Sequence, residues 1–167
     1  MRAVEDIVHY VICLDFKFRQ LFIIWVSDTE TDRVLVDEHC EIVAFESEIK
    51  FREFAKADID ILSNEFTQYD IYKLQQWLLD PHPAFDGVLF LNLWNLFIDV
   101  SESINVEFLG DIHEPVRDSV YNKLFDMSGL FIVDDPTPVF ASDEIDVLSR
   151  IMQNGLDILL SGITIKE

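Results

Sequence analysis

Histidine and cysteine are the residues of this chain with the widest chemical use, and their spacing argues against a metal centre. The four histidines are His9, His39, His82 and His113, and none belongs to an HExxH arrangement, which places two ligands on one helix face. The two cysteines, Cys13 and Cys40, are too far apart for a CxxC site. Residues 38–41 bring Glu, His and Cys side by side, but neighbouring strand residues point to opposite faces. We therefore expect no metal and no other cofactor.

Nucleophilic and phosphate-binding motifs are also missing from the sequence. It contains no GxSxG, no GxxxxGK[ST] and no GxGxxG, and its five glycines leave few turns that could cradle a phosphate. We expect that the protein is not an enzyme. The alternative from another class is a small hydrolase that uses a carboxylate pair, or a metal near His39 or His113.

Carboxylates dominate the charge of the chain. Its 32 Asp and Glu against 12 Lys and Arg give a formal net charge of -20. Such an excess disfavours direct binding to nucleic acid or to an anionic membrane, because those surfaces require a basic patch. It keeps a protein soluble, and it also steers a basic protein partner toward the surface. A basic protein is therefore the expected partner.

The negative charge is concentrated in the middle of the chain. Residues 53–115 contain twelve acids against Lys56 and Lys73, which is half of the whole excess. Asp70 and Asp86 are explained as helix caps. The first predicted contact residues lie in a stretch with no Lys or Arg, and a second group precedes them; the full set is Asp99, Glu102, Glu107, Asp111 and Glu114, then Asp58 and Asp60.

The elements that position these acids begin with a β-rich part. Runs of β-branched and aromatic residues predict antiparallel strands at residues 7–16, 20–26, 33–37 and 41–45. The polar sequence SDTETD at 27–32 predicts a hairpin loop between two of them.

Helical spacing and capping residues predict helices in the rest of the chain. Ser47 begins a short helix, Asp70 caps one at 71–79, and another occupies 114–126 after Pro115 enters its first turn. Residues 85–100 are apolar nearly all round, which favours a central buried helix over the alternative of a buried strand. Asn92 and Asn95 would then need partners inside the fold.

The C-terminal part is predicted as a short strand or extended segment at 130–133, a loop at 134–138 and one more helix. Ser142 would cap this helix, and Asn154 with Gly155 would end it. Residues 156–165 follow as an apolar tail.

Together these elements predict a single α+β domain over residues 1–167. A β-rich part at 1–45, with an antiparallel sheet of about three to four strands, would pack against a mainly helical part at 46–167. The N-terminus lacks the features of a signal peptide, and the longest apolar stretch, 88–100, is too short to span a bilayer. We expect a cytoplasmic protein without membrane contact.

The chain contains FLNLWNLFIDVSES at 90–103, QYDIYKLQQWL at 68–78, and VYNKLF at 120–125 ahead of the helix at 143–155. These stretches together resemble bacterial immunity proteins of polymorphic toxin systems, including contact-dependent growth inhibition. The resemblance implies a cytosolic inhibitor without catalytic residues that holds one cognate toxin domain, commonly a nuclease with a basic surface. A further alternative is a DNA mimic that inhibits a host nucleic-acid-binding protein, which predicts affinity for several basic partners instead of one.

Overall fold

A computed structural model describes residues 7–58, 62–129 and 138–167, without the side chains of residues 57, 58 and 62–66. It contains one mixed sheet and five α-helices, which confirms the predicted α+β class. The strands are β1 (Val8–Asp15), β2 (Gln20–Ser27), β3 (Asp32–Val34), β4 (Ile42–Phe45), β5 (Leu62–Asp70) and β6 (Ile163–Ile165). The helices are α1 (Glu48–Asp58), α2 (Ile71–Leu79), α3 (Gly87–Ile104), α4 (Pro115–Met127) and α5 (Ser142–Gly162).

The sheet has the strand order β5-β1-β2-β4-β6, and β3 pairs with β2 beside this path. The four predicted N-terminal strands are present and pair antiparallel, with the 27–32 loop between β2 and β3. The third is shorter than the predicted 33–37, because it ends at Val34 and continues only as an isolated bridge at Val36. The sheet is larger than predicted, because β5 pairs parallel with β1 and β6 pairs parallel with β4. The middle and the end of the described chain thus return to the N-terminal sheet.

Alternating apolar residues bury both faces of this sheet. Ile12 and Ile23 face the larger core, which contains Phe97 of α3 and Leu148 of α5. On the opposite face the neighbouring strand residues pack against α1, where Phe51 is 1% exposed. The predicted buried helix is confirmed, since nine residues of α3 are buried.

Two predicted helix starts are confirmed by their hydrogen bonds. Asp70 accepts the backbone N–H of Lys73 at 2.8 Å and begins α2. Asp86 accepts the N–H of Leu89 at 3.1 Å and begins α3. The Asp86 cap fixes where α3 starts.

The predicted end of the last helix is wrong. Helix α5 continues through Asn154 and Gly155 to Gly162. Gly155 lies where a β-carbon would overlap the ring of Phe97, so this glycine permits close packing of α5 on α3 and does not end the helix. The predicted cap is also displaced, because Ser142 is the first helical residue and Ala141 precedes it as the N-cap.

The predicted short strand at 130–133 and nearly all of the loop at 134–138 lie outside the described residues. Among the helices of the described ranges, none combines the length and the hydropathy that crossing a bilayer requires.

Candidate functional site

The last turns of α3 place Asp99 against the sheet. The indole Nε1–H of Trp25, on β2, donates to Asp99 Oδ2 at 3.0 Å. One turn later, the Ser103 hydroxyl donates to the Asp99 carbonyl at 2.6 Å and accepts the backbone N–H of Val34 at 3.0 Å. These bonds hold α3 on β2 and β3 and fix the direction of the Asp99 carboxylate.

A cleft with a volume of about 550 Å³ opens between α3 and the sheet beside Asp99. Its lining combines aromatic rings, amides and carboxylates, and the residues are Tyr10, Ile12, Trp25, Asp32, Thr67, Tyr69, Asn92, Asn95, Leu96, Ile98 and Asp99. Neither Lys, Arg nor His is among these described lining residues. The cleft is therefore negative and aromatic.

Asp99 ionises less readily than an ordinary aspartate. Burial raises its pKa to about 6, although the hydrogen bond from Trp25 acts in the opposite direction. The negative charges of Asp32 and Glu102 add to the increase in pKa. Asp99 in turn is a secondary cause of the raised pKa of Tyr69, after burial of that phenol. A positive charge in the cleft would relieve this repulsion.

The acidic segment, residues 99–114, continues from Asp99 through a 3₁₀ turn at Leu109–Asp111 to the start of α4. Its other predicted contact residues are all exposed, and they are Glu102, Glu107, Asp111 and Glu114. Within the described ranges none of these four forms an ion pair. By contrast, Glu144 on α5 is paired with Lys123 at 2.6 Å. The acidic segment therefore presents uncompensated charge to solvent.

Apolar side chains alternate with these acids. Val106, Leu109 and Ile112 have exposed fractions of 46%, 41% and 38%. Exposed apolar groups within a charged rim are typical of a surface that binds protein. The acidic segment combines both features over a short stretch of chain.

The base nearest to the acidic segment in sequence, Arg117, is part of the core structure. Its side chain is only 10% exposed, and its Nε–H donates to the Gly110 carbonyl at 2.6 Å. Its guanidinium also lies 5.2 Å from the ring centres of Trp94 and Tyr121. Arg117 therefore holds the 3₁₀ turn in place and leaves the acids of the surface uncompensated.

Asn154 anchors the same turn from α5. Its Oδ1 accepts the backbone N–H of Leu109 at 2.9 Å. The residue that the sequence marked as a helix end is thus a helical residue that fixes the acidic segment.

The second group of predicted contact residues cannot be placed on this surface. Asp58 is the last residue of α1, and its side chain, like all of Asp60, lies outside what the structure describes. Both residues remain predictions.

The two histidines of the alternative hydrolase hypothesis are exposed and lie in separate loops, His39 before β4 and His113 before α4. His39 lies 3.6 Å from Glu38, and His113 Nδ1 lies 3.0 Å from Asp118 Oδ1. Across residues 7–58, 62–129 and 138–167 no three His, Cys, Asp or Glu side chains form a group that could hold a metal ion.

The cleft itself was not predicted, although the sequence contains a signal for it. Asn92 and Asn95 interrupt the apolar helix because they are exposed at the cleft, and the expectation that both are enclosed is wrong. The Asn95 Oδ1 accepts the Tyr121 hydroxyl at 3.1 Å. The rings of Tyr10, Trp25 and Tyr69 come from three strands, so only the strand pairing brings them together.

Comparisons with known proteins identify a shared fold. No protein-family model matches the sequence, and no curated protein matches it significantly. One solved structure with a similar fold is the crystal structure of the SatS C-terminal domain in complex with bromine. It has 10% sequence identity to this chain, the match covers 95% of this chain and 94% of that one, and the TM-score is 0.53. At this identity the similarity shows the fold alone.

Proposed function

We propose that this protein is an immunity protein that binds and neutralises a basic bacterial toxin domain, expected to be a nuclease, in the cytosol. The observation that carries the proposal is the acidic segment, where four exposed carboxylates have no ion-pair partner in the described chain. The resemblance of its sequence stretches to immunity proteins points to the same role.

The composition of the acidic segment favours a protein as the partner. Val106, Leu109 and Ile112 supply apolar area that a protein interface can bury, whereas nucleic acid would be repelled by the surrounding carboxylates. The carboxylates in turn favour a basic partner and increase its association rate through steering. An inhibitor of a toxin benefits from fast association, because the toxin is captured before it acts.

The acidic segment is also held in a defined shape before it binds. Arg117 and Asn154 both anchor the 3₁₀ turn, and Ser103 ties the end of α3 to β3. A surface that is already ordered loses less conformational entropy on binding. This order supports a role in tight association.

The function is tested by expressing the protein together with the product of an adjacent reading frame. We expect a stable complex and survival of cells that the product alone would kill. The triple substitution Glu102→Gln, Glu107→Gln and Asp111→Asn should weaken the complex by about tenfold or more, because it removes three uncompensated charges.

The matched control removes three exposed acids elsewhere, by Glu53→Gln, Asp126→Asn and Asp146→Asn on α1, α4 and α5. It changes the net charge by the same amount and should leave affinity within about threefold of the wild type. Absence of both complex and protection would refute the function. Equal weakening by both triple variants would refute the contact surface, and tight binding to several unrelated basic proteins would favour the DNA mimic.

A further inference from the structure

We propose that the cleft beside Asp99 binds a guanidinium group, presented by an arginine side chain that the basic partner inserts between α3 and the sheet. The source of the arginine rests on the proposed function, whereas the chemistry of the cleft can be tested without any partner.

The cleft contains two carboxylates and no opposite charge among its described lining residues. The two carboxylates are those of Asp32 and Asp99. Oδ2 of Asp99 accepts the Trp25 indole, while Oδ1 has no hydrogen-bond partner among the described residues. The bond to Trp25 fixes the carboxylate, and its second oxygen remains available to a donor from outside.

The walls of the cleft are partly aromatic. The rings of Tyr10 and Trp25 lie 5.2 Å apart at an angle of 46°, and Tyr69 lines the same cleft. Ring faces attract cations, and a planar, weakly hydrated guanidinium stacks on them better than an ammonium does. The combination of rings and carboxylates therefore selects arginine over lysine.

The amides and the size of the cleft complete the site. Asn92 offers a side-chain carbonyl oxygen to the N–H groups of a guanidinium, and Asn95 Oδ1, which accepts the Tyr121 hydroxyl, has a second lone pair. The volume of about 550 Å³ lies within the range of roughly 300–1,000 Å³ that is typical of ligand pockets. The cleft therefore has room for the guanidinium end of an arginine side chain.

Binding should depend on pH, because the cation requires an ionised Asp99. The other titratable groups that face or influence this carboxylate are Asp32 on β3, Glu102 on α3 and the phenols of Tyr10 and Tyr69 on β1 and β5. Since the pKa of Asp99 is raised to about 6, affinity for a cation should increase as pH rises through that value and then level off.

The test titrates the isolated, nitrogen-15-labelled protein with ethylguanidinium chloride and follows the indole N–H signal of Trp25, assigned with Trp25→Phe. We expect a saturable shift at pH 7.5. The affinity for ethylguanidinium should be lower by about tenfold or more in Asp99→Asn, which keeps an acceptor for the indole but removes the charge. Butylammonium should bind more weakly than ethylguanidinium. Asp146→Asn, an exposed change on α5, should bind like the wild type.

Asp32→Asn is a second variant, at an exposed position where the substitution should not disturb folding. It should lower the affinity for ethylguanidinium by a smaller factor than Asp99→Asn does. The absence of a saturable Trp25 shift, or equal affinity in wild type and Asp99→Asn, would overturn the guanidinium site.

The source of the guanidinium is tested with the partner. Asp99→Asn should weaken binding of the partner as well as binding of the probe. If it weakens only binding of the probe, the partner does not supply the arginine, and that part of the proposal is wrong. If the wild type binds the probe but captures no partner, the proposed function fails while the guanidinium site stands.

Discussion

The surroundings of Asp99 disfavour the ionised form of its carboxyl group. It is half-buried, lies near Asp32 and Glu102, and has one strong donor, the indole of Trp25. A residue chosen only for stability would not carry a charge here, because burial and like charges both disfavour ionisation. Residues that reduce stability in this way are concentrated at functional sites.

We predict that Asp99→Asn stabilises the protein at pH 7.5 by about 1 kcal/mol, because the carboxylate is partly exposed and bears only part of the cost of burying a charge. The folded state holds the Asp99 proton more tightly than the unfolded chain, so the penalty from this group is full above pH 6. It disappears as pH falls from about 6 toward 4, where the aspartate is protonated in both states. Urea unfolding of both proteins across this pH range measures the difference.

Asp146→Asn is the control for this prediction. Because Asp146 is exposed, its substitution should change the free energy of unfolding by only a few tenths of a kcal/mol at every pH. A lower stability of Asp99→Asn at pH 7.5 would contradict the account of Asp99, as would a difference that does not change with pH.

Sequence reasoning located Asp99 but not its surroundings. Asp99 stood out because it begins a stretch without Lys or Arg, which can be read directly from the chain. Tyr10, Trp25 and Tyr69 meet it only through the register of β1, β2 and β5. That register depends on long-range pairing, which single-sequence patterns do not specify.

Among the helices, α5 depends on one close approach to α3. Gly155 is buried, and a β-carbon at this position would overlap the fully buried ring of Phe97. We predict that Gly155→Ala destabilises the protein by about 1–3 kcal/mol, despite the better helix propensity of alanine, because the core has no room for the extra methyl group. Thermal and urea unfolding measure the change.

Gln153→Ala, two residues earlier and exposed on the same helix, is the matched control. It removes one exposed hydrogen bond to Asp157 and should change stability by less than about 0.5 kcal/mol. If Gly155→Ala proved more stable than the wild type, the packing argument would be wrong.

The elements with local signals were predictable, and those that depend on distant partners were not. Asp70 and Asp86 mark the starts of α2 and α3 through bonds to residues three positions ahead. Strand β5 lacks a clear alternation of apolar and polar residues, and it forms a strand by pairing with β1. The glycine at 155 was ambiguous because the same residue type ends helices and permits close packing.

At the scale of the whole molecule, the net charge of -20 repels itself in the folded state. We predict that raising NaCl from about 10 to about 300 mM stabilises the protein by about 1–2 kcal/mol, or about 3–6 °C in Tm, because the salt screens this repulsion. The triple variant Glu102→Gln, Glu107→Gln and Asp111→Asn should melt above the wild type at low salt. Differential scanning calorimetry at several salt concentrations measures both effects.

Lys50→Gln is a control that changes the net charge in the opposite direction. It removes an exposed base and makes the net charge more negative. It should lower Tm at low salt and approach the wild type at high salt. A Tm that is unchanged or lower at high salt would show that self-repulsion does not limit stability.

The pairing of β6 with β4 has a consequence for the time course of folding. It joins Ile42 to Ile163, two residues separated by 121 positions, and the β1–β5 pairing also spans tens of residues. Closing such long loops costs entropy before the contacts form, and proteins with many distant contacts fold slowly. The hairpin of β1 and β2 can form early from neighbouring residues, but the sheet is complete only after α5 has docked and delivered its C-terminal strand. A newly made chain therefore passes through a stage in which the edge of β4 is open.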